Sequence, residues 1–91
     1  MSVARRELTL TNRRGLHARA ATRLVTCCQA FDASVTVHHG QRCGDAANIM
    51  SLLMLAAPCG TVLTLEAEGP DADAVLDALE ALFVARFDED A

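Results

Sequence analysis

The sequence contains no tryptophan, no tyrosine and only three phenylalanines among its 91 residues. Proteins that bind single strands stack the bases on aromatic side chains, and nucleic-acid binding in general depends on clustered positive charge. The formal net charge of this chain is −4. We therefore expect no nucleic-acid partner.

Long hydrophobic runs are also missing. The longest apolar stretch, near residues 49–57, is interrupted by Ser51 and is far shorter than the roughly 20 residues that a membrane span requires. The opening MSVARREL has no apolar segment of signal-peptide length. We expect a cytoplasmic protein with no membrane association. Because 52% of the residues are hydrophobic, we expect residues 1–91 to form a single folded domain.

Cysteine is present, but its spacing does not indicate a metal site. Two of the four cysteines, Cys27 and Cys28, are adjacent inside a helical pattern, which is not a zinc-binding spacing. A site combining the cysteines with His17, His38 and His39 is conceivable but has no support from spacing. In a reducing compartment the cysteines would be free thiols with structural roles. We expect no metal and no cofactor.

The hydrophobic pattern predicts seven regular elements. Alternating residues indicate strands at 6–12, 33–38, 41–44 and 61–68. Apolar residues three and four positions apart indicate helices at 18–30 and 49–55, and a third that begins after Gly69-Pro70-Asp71. The order βαββαβα predicts an α/β (α+β) open-faced sandwich, with a four-stranded antiparallel sheet and three helices on one face. This order does not determine function, because ligand-sensing regulatory domains and RNA-binding sheets share most of it.

The segment RRGLHARAA, residues 13–21, places His17 at the head of the first predicted helix. The unpaired N–H groups of a helix N-terminus bind anions, so they would surround a phosphoryl group carried by this imidazole. Arg19 could add a guanidinium that fits phosphate geometry. The helix dipole and nearby arginines disfavour imidazolium, which favours a neutral, nucleophilic ring. The alternative is a histidine that merely ends a loop and has no chemical role. His38 and His39 are expected to be hairpin residues, likewise with no chemical role.

The charges are unevenly distributed. All eight positive charges are arginines, and four lie within seven residues of His17: Arg13, Arg14, Arg19 and Arg23. Acidic residues gather in the last third of the chain, including the tail residues Asp88, Glu89 and Asp90. A basic zone on an acidic protein indicates a specific anion or an acidic partner surface.

The motif GLHARAA resembles the active-site motif of the HPr family, the histidine phosphocarriers of the bacterial phosphotransferase system, in which Gly-[Leu/Ile/Met]-His-x-Arg precedes the first helix. The segments ANIMSLLMLAA and GTVLTLEAEG and the last helix also correspond, so the resemblance covers nearly the whole chain. It implies that His17 is phosphorylated on Nδ1 and that Arg19 neutralises the phosphoryl group and assists its transfer. It also implies a monomeric carrier, not a self-sufficient enzyme, that takes the phosphoryl group from Enzyme I and passes it to a histidine of an enzyme IIA.

Two positions depart from the family pattern. Ala20 stands where most members have proline, which makes the turn less rigid without changing its chemistry. Asn48 stands where some members have a regulatory serine; it can cap the second helix but cannot be phosphorylated, so that control is expected to be absent. Ser51 lies one turn further along and is not expected to take over the role.

The segments SLLMLAA and ALFVARFDED resemble the nitrogen-related branch of the family, known as NPr, whose donor and acceptor are a nitrogen-type Enzyme I and a nitrogen-type enzyme IIA. The alternative within the family is the sugar branch. A different class, a regulatory domain that binds a small molecule between subunits, would share the element order but would be a dimer with a pocket at the strand edges.

The second predicted helix carries apolar residues on all sides. One interpretation is that all of them pack inward against Phe31 and the last helix. The other, which agrees with the family's docking face, is a partly exposed surface that binds partners near His17. The predicted docking residues are Ala18, Arg23, Ile49, Met50, Leu53 and Met54.

Overall fold

The computed structural model describes residues 3–90. Its strands are β1 (Val3–Thr9), β2 (Ser34–His39), β3 (Arg42–Asp45) and β4 (Val62–Glu68). Its α-helices are α1 (Ala18–Gln29), α2 (Ile49–Leu53) and α3 (Ala72–Val84), and α3 is followed by a short 3₁₀ turn, Arg86–Asp88. None of these helices is long and apolar enough to cross a membrane.

The strands form one antiparallel sheet in the order β1-β4-β2-β3. Leu8 lies opposite Leu63, and Val37 lies opposite Leu65, so apolar rows cross the sheet on one face. Because side chains alternate along a strand, the polar residues of the same strands point to the other face. The helices cover the apolar face. The predicted open-faced sandwich, with four antiparallel strands and three helices on one face, is confirmed.

The core lies between the sheet and the three helices. Apolar positions along α1 and α3 recur at three and four residues, which directs one face of each helix toward the sheet. Every side chain in the following set is less than 2% exposed: Leu24, Leu52, Leu63, Leu65, Val75, Leu76 and Leu79.

The boundaries of two elements differ from the prediction by two residues or more, and those of the other elements by at most one. The first strand covers Val3–Thr9, not residues 6–12. The alternating burial continues past its end, because Leu10 remains fully buried and its amide donates to the carbonyl of Thr61 at 2.9 Å. Helix α2 ends at Leu53 instead of residue 55, because the amides of Leu55 and Ala56 bond to carbonyls three residues back instead of four. Ala56 then adopts a positive φ of 51°, which turns the chain out of the helix.

All four cysteines are free thiols, as expected. Burial raises the pKa of Cys28 to about 12 and also raises the pKa of Cys27, whereas Cys43 and Cys59 are exposed. The thiolate is the reactive form of cysteine, so the four side chains should differ in reactivity.

Alkylation of the folded protein with iodoacetamide at about pH 8 should therefore modify Cys43 and Cys59 first, Cys27 slowly and Cys28 only after unfolding. Intact mass measured against time, with and without urea, checks this order. The variant Cys43→Ser should gain one alkyl group fewer than the wild type in the rapid phase of the reaction. Equal rates for Cys28 and Cys43 in the folded state would contradict the packing of α1.

Candidate functional site

The chain enters α1 through a tight turn that depends on Gly15. Its φ is +66°, and a Cβ atom placed there would lie 2.5 Å from the carbonyl oxygen of Ala57 and 2.8 Å from Cα of Pro58. Only glycine avoids both the clash and the strain of this conformation. The turn is joined to the same segment by a hydrogen bond from the Leu16 amide to the Ala57 carbonyl, at 3.0 Å. Gly15 thus allows the histidine loop to lie directly on residues 57–58.

His17 is the N-cap residue of α1, with an extended backbone. Its carbonyl accepts from the Ala21 amide at 2.8 Å, the first hydrogen bond of the helix. Its Nδ1 accepts from the backbone N–H of Arg19 at 3.3 Å. The structure therefore places His17 at the head of the helix, as the sequence predicts, with Nδ1 directed at one of the backbone donors that have no partner within the helix.

The other ring nitrogen contacts a residue that is not among the predicted site residues. Nε2 of His17 lies 2.6 Å from Oε2 of Glu89 in the C-terminal segment. The two side chains are 21% and 9% exposed, respectively. His17 is therefore only partly exposed, because the Glu89 carboxylate covers its Nε2 edge.

Three consecutive residues direct the C-terminal segment back toward α1. Arg86, Phe87 and Asp88 have φ values of 54°, 55° and 63°, which form a left-handed turn that is rare outside glycine. Phe87 is 1% exposed, and its ring centroid lies 5.0 Å from that of Phe83. Asp88 accepts a hydrogen bond from the Arg23 guanidinium at 2.9 Å. Burial of Phe87 thus holds the segment in a conformation that brings Glu89 to His17.

Glu89 is an ionised carboxylate in this setting. Burial raises its pKa, but the hydrogen bonds from His17 and Asn12 and the positive charge of Arg19 outweigh that effect, so the pKa lies below its ordinary value. An ionised carboxylate can only accept hydrogen bonds.

The predicted basic zone is present at the site, but acidic residues of the C-terminal segment share it. Arg13, Arg14 and Arg19 line an open depression of about 350 Å³ together with Asp88, Glu89 and Asp90. Arg19 is exposed, which leaves its guanidinium accessible to an incoming anion.

The structure separates the predicted docking residues into two groups. Met50 of α2 and Met54, which directly follows this helix, are 65% and 73% exposed. Ile49 and Leu53 are partly buried and pack against the core. The interpretation in which every apolar residue of this helix packs inward is therefore wrong for its two methionines. On α1, Ala18 is exposed, whereas Arg23 is half-buried and paired with Asp88.

Asn48 caps α2, as expected: its Oδ1 accepts from the Ser51 amide at 3.0 Å. The Ser51 hydroxyl in turn accepts from the Asp45 amide at 3.0 Å. His39 contacts the Leu55 carbonyl through Nδ1 at 2.9 Å, and His38 faces Glu66 across the sheet. Within residues 3–90, no three His, Cys, Asp or Glu side chains are grouped so that they could hold a metal ion.

Comparison with known proteins agrees with this fold and this helix-capping histidine. A family model described as "PTS HPr component phosphorylation site" matches residues 4–85. The chain is 46% identical to the phosphocarrier protein NPr of Shewanella violacea over 98% of both chains. It is 43% identical to the phosphocarrier protein HPr of Cupriavidus necator, over 92% of this chain and 94% of that protein. A crystal structure of HPr-C-His from Thermoanaerobacter tengcongensis superposes with a TM-score of 0.91 at 30% identity, covering 97% of this chain and 99% of that one.

The chain therefore belongs to the HPr family, the class that its fold and its helix-capping histidine define. It is an HPr-type phosphocarrier of the phosphotransferase system.

Proposed function

We propose that residues 1–91 form a single carrier domain that accepts a phosphoryl group on Nδ1 of His17 from Enzyme I and passes it to a histidine of an enzyme IIA. The observation that supports this most is the direction of Nδ1, which faces the Arg19 amide at the N-terminus of α1. A phosphoryl group on Nδ1 would replace the ring nitrogen as the acceptor of that N–H. The helix dipole would stabilise its negative charge.

The site needs to supply position and charge compensation, because phosphoryl transfer depends mainly on these two effects. The protein is thus a carrier with a phosphohistidine intermediate that acts together with the enzymes on either side. It requires no metal and no cofactor of its own.

We further propose that the partners are the nitrogen-type Enzyme I and the nitrogen-type enzyme IIA, and that the protein works in the cytoplasm as a monomer. The 46% identity to an NPr protein supports this branch. The 43% identity to an HPr protein supports the sugar branch as a second candidate. Membership of the HPr family argues against the alternative that the protein is a regulatory domain that binds a small molecule.

The test is the intact mass of the protein after incubation with phosphoenolpyruvate and either a nitrogen-type or a sugar-type Enzyme I. We expect one acid-labile phosphate, faster with the nitrogen-type donor, and none on His17→Ala. His38→Ala is the matched control and should be labelled like the wild type. Faster labelling by the sugar-type donor would assign the protein to the sugar branch. No label from either active donor would contradict the assignment of His17.

Replacing Arg19 with alanine should slow transfer by about 10- to 100-fold, since a hydrogen bond to a charged group contributes about 1.5–3 kcal/mol. Single-turnover labelling by phosphorylated Enzyme I measures the rate. Arg42→Ala removes the same charge from β3 and serves as the control. Because Arg19 is exposed, the melting temperature should not change. A rate equal to that of the wild type would remove Arg19 from the transfer step.

Replacing Met50 or Met54 with glutamate should weaken transfer to both partners while leaving the fold intact, because each side chain is more than half exposed. A charge introduced into an apolar contact must be desolvated when the partner binds. Val84→Glu, at a valine of α3 that is 75% exposed, is the matched control. The measurement is the dependence of transfer rate on partner concentration. Equal effects of all three variants would argue against a docking surface on α2.

A further inference from the structure

We propose that Glu89 is a positioning residue for phosphoryl transfer: its carboxylate accepts the Nε2 proton of His17 and so leaves Nδ1, on the helix side of the ring, as the nucleophile. The proposal rests on the role of His17 proposed above. It assigns a function to a C-terminal segment that lies outside the GLHARAA motif.

The two contacts of the ring select a single protonation state. The backbone amide of Arg19 can only donate, so Nδ1 must present its lone pair to it. The Glu89 carboxylate can only accept, so Nε2 must carry the proton. A neutral imidazole has one proton, and this arrangement satisfies both contacts with it. A ring protonated on Nδ1 would direct N–H at N–H on one side and a lone pair at a carboxylate on the other.

Glu89 is held at both of its oxygens. Oε2 faces His17 at 2.6 Å, and Oε1 accepts from Nδ2 of Asn12 at 3.3 Å. The same Asn12 amide group donates to the Gly15 carbonyl at 2.7 Å, and its side chain is fully buried. Asn12 therefore connects the carboxylate to the turn that carries the histidine. This connection holds Glu89 and His17 in a fixed position relative to each other.

The two contacts also differ in strength, and the difference suits the reaction. The Arg19 hydrogen bond to Nδ1 is long, at 3.3 Å, and can be given up when the nitrogen attacks phosphorus. The short contact of Nε2 with Glu89 lies on the opposite side of the ring and need not break. The carboxylate thus orients the ring without blocking the reacting nitrogen.

The transfer step balances with this arrangement. The Nδ1 lone pair forms a bond to phosphorus, the N–P bond of the donor phosphohistidine breaks, and its electron pair returns to the donor nitrogen. The Nε2 proton stays in place, so the ring of His17 acquires positive charge as the bond forms. The Glu89 carboxylate is placed to compensate this charge, as a carboxylate does for the histidine of a catalytic triad.

The contact can be observed without any phosphoryl transfer. In ¹⁵N-labelled wild type, His17 should show an Nε2-bound proton protected from solvent exchange and a Nδ1 shift typical of an unprotonated nitrogen. Glu89→Ala should lose the protected proton, whereas Glu68→Ala, the same change at an exposed residue at the end of β4, should keep it. A wild-type ring protonated on Nδ1 would overturn the proposal.

The rate provides the second readout. Single-turnover phosphorylation of Glu89→Ala should be slower by roughly 10- to 100-fold, by analogy with the loss of the hydrogen-bond partner of a metal-bound histidine, with unchanged rates for Glu68→Ala. Glu89→Gln keeps an oxygen acceptor and should recover part of the rate. Wild-type rates for Glu89→Ala, or a Glu89→Gln no faster than Glu89→Ala, would overturn the proposal. Failure of the wild type to accept phosphate would instead overturn the role of His17.

Discussion

Replacing Phe87 with alanine should lower the free energy of unfolding by about 3–5 kcal/mol, the usual effect of truncating a buried phenylalanine. The side chain is 1% exposed and lies against Phe83. Water can therefore reach neither ring unless the end of α3 opens. For a domain whose total stability is expected to be about 5–15 kcal/mol, this is a large share. Urea denaturation followed by circular dichroism measures it.

The same substitution should release Glu89 from His17. The left-handed conformation of Arg86, Phe87 and Asp88 costs roughly 1–2 kcal/mol per residue, and burial of the phenyl ring is the main interaction that offsets it. The protected Nε2 proton of His17 should therefore disappear in Phe87→Ala, even at temperatures where the domain remains folded. Val84→Ala, which truncates a valine that is 75% exposed, should leave both stability and the protected proton unchanged. A loss below about 1 kcal/mol for Phe87→Ala would mean that the segment is not docked.

The elements that the sequence predicts well are those with a strong local pattern. Leu63, Leu65 and Ala67 alternate with polar residues along β4, and all three are buried. Asn48 has the side chain and the position of an N-cap, and the structure shows it capping α2. The end of β1 is predicted less well, because Leu10 is buried by the fold after its strand has ended. An alternating hydrophobic pattern predicts which side chains are buried. It predicts the end of a strand only where burial and strand pairing end at the same residue.

The head of α1 could be predicted because its determinants are adjacent in sequence. Gly15, His17 and Arg19 lie within one turn and the first residues of a helix. The contribution of the C-terminal segment could not be predicted, since Glu89 and His17 are 72 residues apart. Nothing local marks the turn at Arg86-Phe87-Asp88 either: arginine and phenylalanine rarely adopt a positive φ, and no glycine indicates the change of direction. The sequence does indicate that the tail packs against the domain, because Phe87 is a large apolar residue among charged neighbours.

Replacing Gly15 with alanine should have a comparable effect on stability and a direct effect on the site. The positive φ of 66° costs an alanine roughly 1–2 kcal/mol. The new Cβ would also lie 2.5 Å from the Ala57 oxygen and close to two backbone atoms of Pro58. These are main-chain atoms that cannot rotate away, so overpacking should add about 1–3 kcal/mol. We expect a total loss of about 2–5 kcal/mol in the free energy of unfolding.

Gly40→Ala separates the two effects. Gly40 has a similar φ of +61°, but nothing lies within 4 Å of its missing Cβ, so this variant should show the conformational cost alone. The difference in free energy of unfolding between Gly15→Ala and Gly40→Ala then measures how tightly the histidine turn packs against residues 57–58. If that contact positions His17, phosphorylation should be slowed in Gly15→Ala and unaffected in Gly40→Ala under conditions where both are folded. Equal stabilities would show that the turn can move away from Ala57. A wild-type rate in Gly15→Ala would then show that His17 reacts without the support of this contact.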